Sequence, residues 1–304
     1  MQTDRGHTAS KVEPRSCVDD SRVALFLDRE FDGVAGLIEE FPLLVGPCNR
    51  SRRIVLEEDG RVIAHAAWRP LRLLSREERL LAAGIGLVTT HRARRGRGYA
   101  TRVVLSCLER AKESGADLAL LFAPERGLYR RLGFVPAGRE RVTRVDPGLG
   151  GAELRLGDAR DALELLHLLE RHPVRIERTL SHFETLLRVP GAHTYVLERD
   201  GHPSAYCVEG KGRDLGGVVH EWAGEPSDVE CLLRGLARRL GRSLCVLSPE
   251  SEPAPVDGSE ILQPFAQIMI LRPKRFGTSD PVAVFGDART PARTPIYVWG
   301  LDSV

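Results

Sequence analysis

The stretch Gly84–Ala100, GIGLVTTHRARRGRGYA, joins an apolar run to a loop rich in arginine and glycine. Beyond this loop, apolar residues recur at the spacing of one helix face, namely Val104, Cys107, Leu108 and Ala111. Gly96 and Gly98 allow a ligand to approach the backbone closely, and four loop arginines add positive charge. The stretch therefore predicts a strand, an anion-binding loop (the cradle) and a helix. Because the first-turn N–H groups of a helix are free to bind an anion, the most natural ligand is a diphosphate.

The composition is that of an ordinary soluble globular protein, with 42% hydrophobic and 28% charged residues in 304. The balance of 44 basic against 42 acidic residues leaves +2, which argues against a nucleic-acid-binding protein. Six cysteines occur without a CxxC pair, which favours free thiols in a reducing cytoplasm and no metal framework. No apolar run reaches the roughly 20 residues that span a bilayer, so we expect no membrane association.

The first half alternates segments typical of strands and helices, which predicts an α/β fold with a mixed sheet. Asp59-Gly60 separates two strand patterns and predicts a tight hairpin turn. The predicted elements are a strand Arg22–Leu27, a helix Phe31–Phe41, strands Arg53–Glu57 and Arg61–Trp68, a strand Leu80–Val88, a strand Asp117–Phe122, a helical turn Leu128–Leu132 and a strand from Phe134.

The second half repeats landmarks of the first in the same order. Val55-Leu56-Glu57 and Asp59-Gly60 are matched by Val196-Leu197-Glu198 and Asp200-Gly201, and LALLFAPE (118–125) is echoed by LCVLSPE (244–250). The arginine–glycine loop has no counterpart there, which indicates a duplication whose second copy lost the cradle. We therefore predict a disordered tail (1–20), a catalytic domain (21–150), a degenerate copy (151–260) and a C-terminal strand and arm (261–304).

The chain ends in an unusually apolar segment, PIYVWGLDSV (295–304), after a stretch rich in Pro, Gly, Arg and Asp that reads as a loop (273–294). A dangling tail is rarely so apolar. Two interpretations remain: a strand that closes the second sheet, or a wall of the acceptor pocket. Phe265–Leu271 is a further strand candidate.

Two common phosphate-binding motifs do not fit the loop. A P-loop requires Lys-Ser or Lys-Thr after its last glycine, whereas Tyr99 follows Gly98 here. A Rossmann site requires a third glycine and an acidic residue closing the next strand, whereas Asp117 opens it. The remaining pattern, Arg95-Gly96-Arg97-Gly98-Tyr99-Ala100, resembles the acetyl-CoA-binding motif of the GNAT acetyltransferase superfamily, and Tyr129-Arg130-Arg131-Leu132-Gly133-Phe134 resembles its Tyr-x-x-x-Gly-Phe motif.

The tandem arrangement is similar to the enhanced-intracellular-survival acetyltransferases, although the chain is too short for their sterol-carrier-like domain. The resemblance implies acetyl-CoA as co-substrate, no metal, and a direct transfer of the acetyl group to a primary amine. It assigns Tyr129 as the general acid that protonates the leaving thiolate. It also implies that the donor is bound by Leu87, Val88, Arg94, Arg95, Gly96, Arg97, Gly98, Tyr99 and Ala100.

The general base and the acceptor stay open. His91, Glu125, Glu221 and the carboxylate of Val304 are the candidate bases, and each could equally be a solvated surface group. Glu221, Trp299 and Val304 are the candidate substrate contacts. The acceptor could be an aminoglycoside-like polyamine, a peptide N-terminus or a small metabolite amine, and the acyl group could be longer than acetyl.

We therefore interpret the sequence as a cytoplasmic N-acetyltransferase with one working domain. The alternative is a non-catalytic module that binds acyl-CoA as a signal, although a sensor needs no proton donor such as Tyr129. The oligomeric state is open, with a homo-oligomer as one arrangement to test.

Overall fold

The computed structural model describes residues 12–16, 19–31, 36–123, 127–147, 153–212, 215–287 and 289–303. No helix within these ranges is long and apolar enough to cross a membrane. In chain order, the elements of the first half are β1 Arg15–Ser16, α1 Asp20–Glu30, α2 Leu37–Glu40, α3 Pro42–Val45, β2 Arg53–Glu58, β3 Arg61–Ser75, β4 Glu78–Thr90, α4 Tyr99–Glu113, β5 Leu118–Leu121, α5 Gly127–Arg131 and β6 Val135–Val145.

The second half continues with a similar alternation of strands and helices. Its elements are β7 Arg155–Leu156, α6 Ala162–Leu169, β8 Val174–Ile176, α7 Leu180–Leu186, β9 His193–Arg199, β10 His202–Glu209, β11 Val218–Gly224, α8 Pro226–Leu240, β12 Leu244–Pro249, β13 Ser259–Ile270, α9 Pro273–Phe276 and α10 Pro281–Phe285. The predicted mixed α/β fold is confirmed.

One sheet runs through the molecule, in the order β1-β2-β3-β4-β5-β13-β6-β12-β11-β10-β9-β7. The strand β13, from the second half, lies between β5 and β6 of the first half. Its partners are antiparallel on both sides, with Gln267 opposite both Leu121 and Pro136. Strand β6 in turn pairs with β12. Each half therefore supplies a strand to the join between them.

Both halves contain the same hairpin followed by a parallel strand pair. Asp59-Gly60 and Asp200-Gly201 all have positive φ values, the conformation of a tight two-residue turn whose backbone twist matches the strands. The strands β4 and β5 pair in parallel across helix α4, and β11 and β12 do so across helix α8. Helix α4 buries Val103, Val104, Cys107, Leu108 and Ala111 against the sheet.

The predicted strand Arg22–Leu27 is wrong, because these residues belong to helix α1. The Asp19 carboxylate accepts a hydrogen bond from the Arg22 N–H and caps the helix. Val23, Phe26 and Leu27 are buried at helical spacing, whereas Leu25 is 74% exposed. The run RVALFL is apolar enough for either a strand or a helix, and this one-sided burial distinguishes the helix from the strand.

Four further expectations need correction. Within the predicted disordered tail, Arg15–Ser16 pairs with β2, while residues 1–11 and 17–18 lie outside the described part. The predicted helix Phe31–Phe41 is reduced to α2 among described residues, and the long loop contains α9 and α10. The segment 295–303 forms no strand; it is an irregular arm that ends in a 3-10 turn, Gly300–Asp302.

Two histidines are buried where protonation is unfavourable. Burial lowers the pKa of His65 and of His220 from the usual 6.5 to about 4 each. Each ring donates to a backbone carbonyl, His65 Nδ1 to Leu87 at 2.8 Å and His220 Nε2 to Gly210 at 2.7 Å. Both histidines are therefore neutral in the folded protein at pH 7.

We expect the free energy of unfolding to fall between pH 6.5 and 4. In that window the unfolded chain binds protons at these histidines and the folded chain does not, so each histidine removes on the order of 3 kcal/mol by pH 4. Urea unfolding at pH 7 and pH 4.5 measures the loss. A free energy that stays constant, or rises on acidification, would contradict the neutral assignment.

Candidate active site

A cleft opens where the parallel strands β4 and β5 separate. Their pairing covers Ala82, Ala83 and Gly84 of β4 and ends opposite Leu120. Strand β4 continues to Thr90 along β3, whereas β5 ends at Leu121. The resulting cleft has a volume of about 750 Å³ and is lined by Ile85–Thr90 on one side and by residues 121–123 on the other.

A β-bulge at Leu87 shapes the β4 wall. Across β3, Ala67 faces Gly86 and His65 faces Thr89, so Ala66 alone opposes both Leu87 and Val88. Leu87 has φ +48, a left-handed conformation that is uncommon outside glycine. The hydrogen bond from His65 Nδ1 satisfies the Leu87 carbonyl, which turns away from the regular ladder. The predicted donor residues Leu87 and Val88 therefore line the cleft in an irregular backbone.

The predicted cradle closes one end of this cleft. Gly98 takes φ +77 and begins helix α4, and no side chain caps that helix within the described residues. Gly96, Gly98, Tyr99 and Ala100 line the cleft next to this uncapped helix end. A first helical turn without a cap leaves N–H donors and a positive dipole end for an anion.

The loop arginines are engaged mainly in holding the loop. Arg94 pairs with Glu58, with Nε 2.7 Å from the carboxylate, and Arg95 Nε donates to the Thr90 carbonyl at 3.1 Å. Both residues still border the cleft. Arg97 is exposed and does not line it. Arg94 and Arg95 are therefore engaged within the protein, so the predicted anion site depends more on backbone N–H groups than on arginine side chains.

Tyr129 also lines the cleft. It lies on helix α5, is 7% exposed and packs edge-on against Phe134 at 6.0 Å between ring centres. The backbone N–H of Phe134 donates to the Tyr129 carbonyl at 3.0 Å, which closes the Gly-Phe turn. Tyr129, Leu87 and Gly98, far apart in the sequence, thus border one cleft.

Three phenylalanines and one arginine that line the cleft are absent from the predicted donor and substrate contacts. Phe31 and Phe41 come from the segments around α2, Phe122 follows β5, and Arg131 lies on α5. Phe31 and Phe41 have no motif, since their position depends on how α1 and α2 fold over β4. The Tyr-Arg-Arg-Leu-Gly-Phe match already contained Arg131 and could have identified it.

The two candidate bases within the described residues, His91 and Glu221, do not line the cleft. His91 Nδ1 accepts a hydrogen bond from the Ala93 N–H at 3.2 Å, and its Nε2 lies 3.9 Å from the Glu30 carboxylate. Glu221 is fully buried in β11 and does not border the cleft. Glu125 and Val304 lie outside the described residues.

Glu221 belongs to a buried charge cluster that fastens the C-terminal arm. Arg178 donates to Glu221 at 2.5 and 2.8 Å and to Asp302 Oδ2 at 2.6 Å. Arg69 reaches the other Asp302 oxygen at 3.0 Å, and the Tyr206 hydroxyl donates to Glu221 at 2.9 Å. Burial alone would raise the pKa of Asp302, but the two arginines lower it overall. The predicted substrate contact by Glu221 is corrected accordingly.

Trp299 is also enclosed. It is 0% exposed and packs against Tyr297, Trp222 and His172, with ring centres 4.8 to 5.6 Å apart. Its neighbours in the arm, Tyr297, Val298, Gly300 and Ser303, instead line a second cavity. Lys211 Nζ holds this part of the arm by donating to the carbonyls of Gly300 and Leu301 at 3.1 and 3.0 Å.

We expect Arg178→Met to lower the free energy of unfolding by about 3–5 kcal/mol, because it leaves two buried carboxylates without their shared cation. Equilibrium urea unfolding measures the difference. Arg171→Met is the control, since Arg171 pairs with Glu225 at 2.6 Å on the exposed surface and should cost less than about 1 kcal/mol. Equal losses in both variants would contradict the role of the cluster.

The sequence of the first half supplies the decisive comparison. Residues 33–137 match the profile of the acetyltransferase (GNAT) domain family. The chain contains a GNAT acetyltransferase domain. It is therefore an acyltransferase, and an acyl-CoA is its donor. No curated protein matches the sequence of the chain.

Solved structures show that the GNAT fold extends beyond this match. A GCN5-related N-acetyltransferase from Kribbella flavida is 20% identical, with 86% of this chain and 72% of that chain covered and a TM-score of 0.60. Eis1 from Mycobacterium abscessus is 16% identical, with 85% and 74% covered and a TM-score of 0.59. N-myristoyltransferase from Saccharomyces cerevisiae, with bound myristoyl-CoA, is 14% identical, with 85% and 82% covered and a TM-score of 0.55.

Glycine at the GNAT loop can be tested with a matched pair of substitutions. Gly98 and Gly115 have φ +77 and +82 and lie at opposite ends of helix α4, with no atom within 4 Å of an added Cβ. We expect Gly98→Glu to weaken acetyl-CoA binding by at least about 100-fold, because it adds negative charge at the positive helix end. Gly115→Glu carries the same backbone strain and should bind normally. Calorimetric titration gives both affinities, and similar losses would contradict the cradle.

Proposed function

We propose that the chain transfers an acetyl group from acetyl-CoA directly to a primary amine, with Tyr129 as the general acid. The observation that carries this proposal is the cleft between β4 and β5, which has an uncapped helix end at one margin and Tyr129 at another. The proposed diphosphate site and the proposed proton donor thus border the same space.

The donor would lie along β4. Backbone N–H groups from Arg95 to Ala100 would bind the diphosphate, and Arg94 and Arg95 would add long-range positive charge. The pantetheine would lie beside the unpaired edge of β4 and bind its backbone groups as a neighbouring strand would. The bulge at Leu87 would direct the Val88 N–H toward the thioester carbonyl. This hydrogen bond would strengthen as negative charge develops on the carbonyl oxygen.

The chemistry balances with one acid from the protein. The neutral amine nitrogen attacks the thioester carbonyl carbon, and the carbonyl oxygen becomes an oxyanion. When the oxyanion collapses, the carbon–sulfur bond breaks and the thiolate takes the proton of the Tyr129 hydroxyl. The new amide releases its extra proton to solvent or to a base. The same solvent or base can then return a proton to Tyr129. A phenol is protonated at pH 7 and can therefore serve this thiolate.

We further propose that residues 21–150 form the catalytic domain and that residues 151–260 are a duplicate without a donor site. Helix α8 begins with Glu225 and Pro226, where helix α4 begins with Gly98 and Tyr99. The proline removes an N–H donor and the glutamate adds negative charge, so this helix end repels a diphosphate. One donor per chain follows, and residues 261–304 would help to enclose the acceptor.

The test of this proposal combines binding and turnover. We expect acetyl-CoA to bind with one site per chain by calorimetry, and release of free CoA with an amine panel to report transfer. Tyr129→Phe should lower kcat by about 100-fold or more while acetyl-CoA affinity changes little, because only the proton donor is removed.

Tyr195→Phe, on β9, is the control and should retain full turnover. No binding of acetyl-CoA would refute the donor assignment. Binding of acetyl-CoA without transfer to any amine would instead indicate a sensor of acyl-CoA. Full activity of Tyr129→Phe would refute the role of Tyr129 as general acid.

A further inference from the structure

A second cavity adjoins the donor cleft and is lined by a carboxylate that pairs with no cation among the described residues. The cavity has a volume of about 170 Å³ and shares Phe41 and Phe122 with the larger cleft. Glu140, on β6, lines it. The Tyr297 hydroxyl and the Gln263 amide each donate to one carboxylate oxygen at 2.8 Å. In the part of the chain that the structure describes, no lysine, arginine or histidine pairs with this carboxylate.

Burial makes ionisation of the Glu140 carboxylate unfavourable. It raises the pKa of Glu140, while the two neutral donors lower it only in part. An ionised carboxylate accepts about four hydrogen bonds, and the two donors occupy only half of that capacity. A partly buried anion in this position gains from a cation that enters the cavity.

Aromatic rings form the path between Glu140 and the donor cleft. Phe122 packs edge-on against Phe265 at 5.3 Å, and Phe265 stacks on Tyr297 at 5.0 Å. Tyr297 then reaches Glu140 through its hydroxyl. These rings suit a methylene chain along the path and attract a cation near its end.

The one ammonium group among the described residues that line the cavity does not neutralise Glu140. Glu40, Glu140 and Lys211 are the charged side chains among those residues. Burial lowers the pKa of Lys211 to about 8, and its Nζ is committed to the arm through the Gly300 and Leu301 carbonyls and the Ser303 hydroxyl. Lys211 therefore organises the wall rather than neutralising Glu140.

A cation held by Glu140 is not the nucleophile, because an ion-paired ammonium has no free electron pair. Building on the proposed function, we propose that this cavity receives the second ammonium group of a short aliphatic diamine, whose first amine enters the donor cleft between Phe41 and Phe122. The volume of about 170 Å³ accommodates a methylene chain and excludes a polycyclic amino sugar.

The test compares diamines and monoamines of equal length. Diamines of three to six methylene groups and the corresponding alkyl monoamines are assayed with acetyl-CoA by release of free CoA. We expect kcat/KM for the best diamine to exceed that of its monoamine by at least about 30-fold. Glu140→Gln keeps the shape and a hydrogen-bond acceptor, and should remove this preference while monoamine turnover stays unchanged.

Two further variants support the comparison. Leu247→Trp fills the cavity and should abolish diamine turnover without changing acetyl-CoA affinity, which also verifies that the protein is folded. Glu198→Gln, at an exposed pair with Arg155, should retain the preference. Three outcomes would overturn the proposal. They are equal kcat/KM values for diamine and monoamine, equal losses for both substrates in Glu140→Gln, and a faster reaction with kanamycin or spermine that does not depend on Glu140. Absence of acetyl-CoA binding would instead refute the proposed function.

Discussion

The separation of β4 from β5 is the constraint on which the site depends. Two parallel strands that pair over only three positions must leave backbone groups of the longer strand without a sheet partner. Such groups are stable only if a ligand, water or a bulge satisfies them. Here the bulge at Leu87, held by buried His65, changes the direction of the strand where the donor is expected to lie. The cleft, the loop and the helix end all follow from this separation.

The join between the halves depends on β13. Because this strand pairs with β5 on one side and β6 on the other, the sheet continues across the molecule without an open edge at its centre. The arm that follows β13 is then fastened by Arg178, Arg69 and Asp302, whose charges are buried together. The wall of the second cavity therefore rests on contacts between both halves.

Much of the first half could be predicted from local patterns. The turn at Asp59-Gly60, the amphipathic face of α4 and the glycine at its start each depend on a few neighbouring residues. Arg22–Leu27 was predicted wrongly because an apolar run of six residues fits a strand or a buried helix equally well. Glu221 was predicted as a site residue because a carboxylate is a candidate base. Its pairing with Arg178 cannot be read from the sequence.

The fold class, the family resemblance in the first half and the predicted anion cradle rest on periodicity and on short motifs, which can be read from the sequence. Three other features depend on tertiary packing: His65 holds Leu87, Glu221 is paired with Arg178, and Phe41, Phe122 and Glu140 meet beside the β4–β5 cleft. These contacts join residues from distant strands and helices. No spacing along the chain encodes them, because packing alone brings their side chains together.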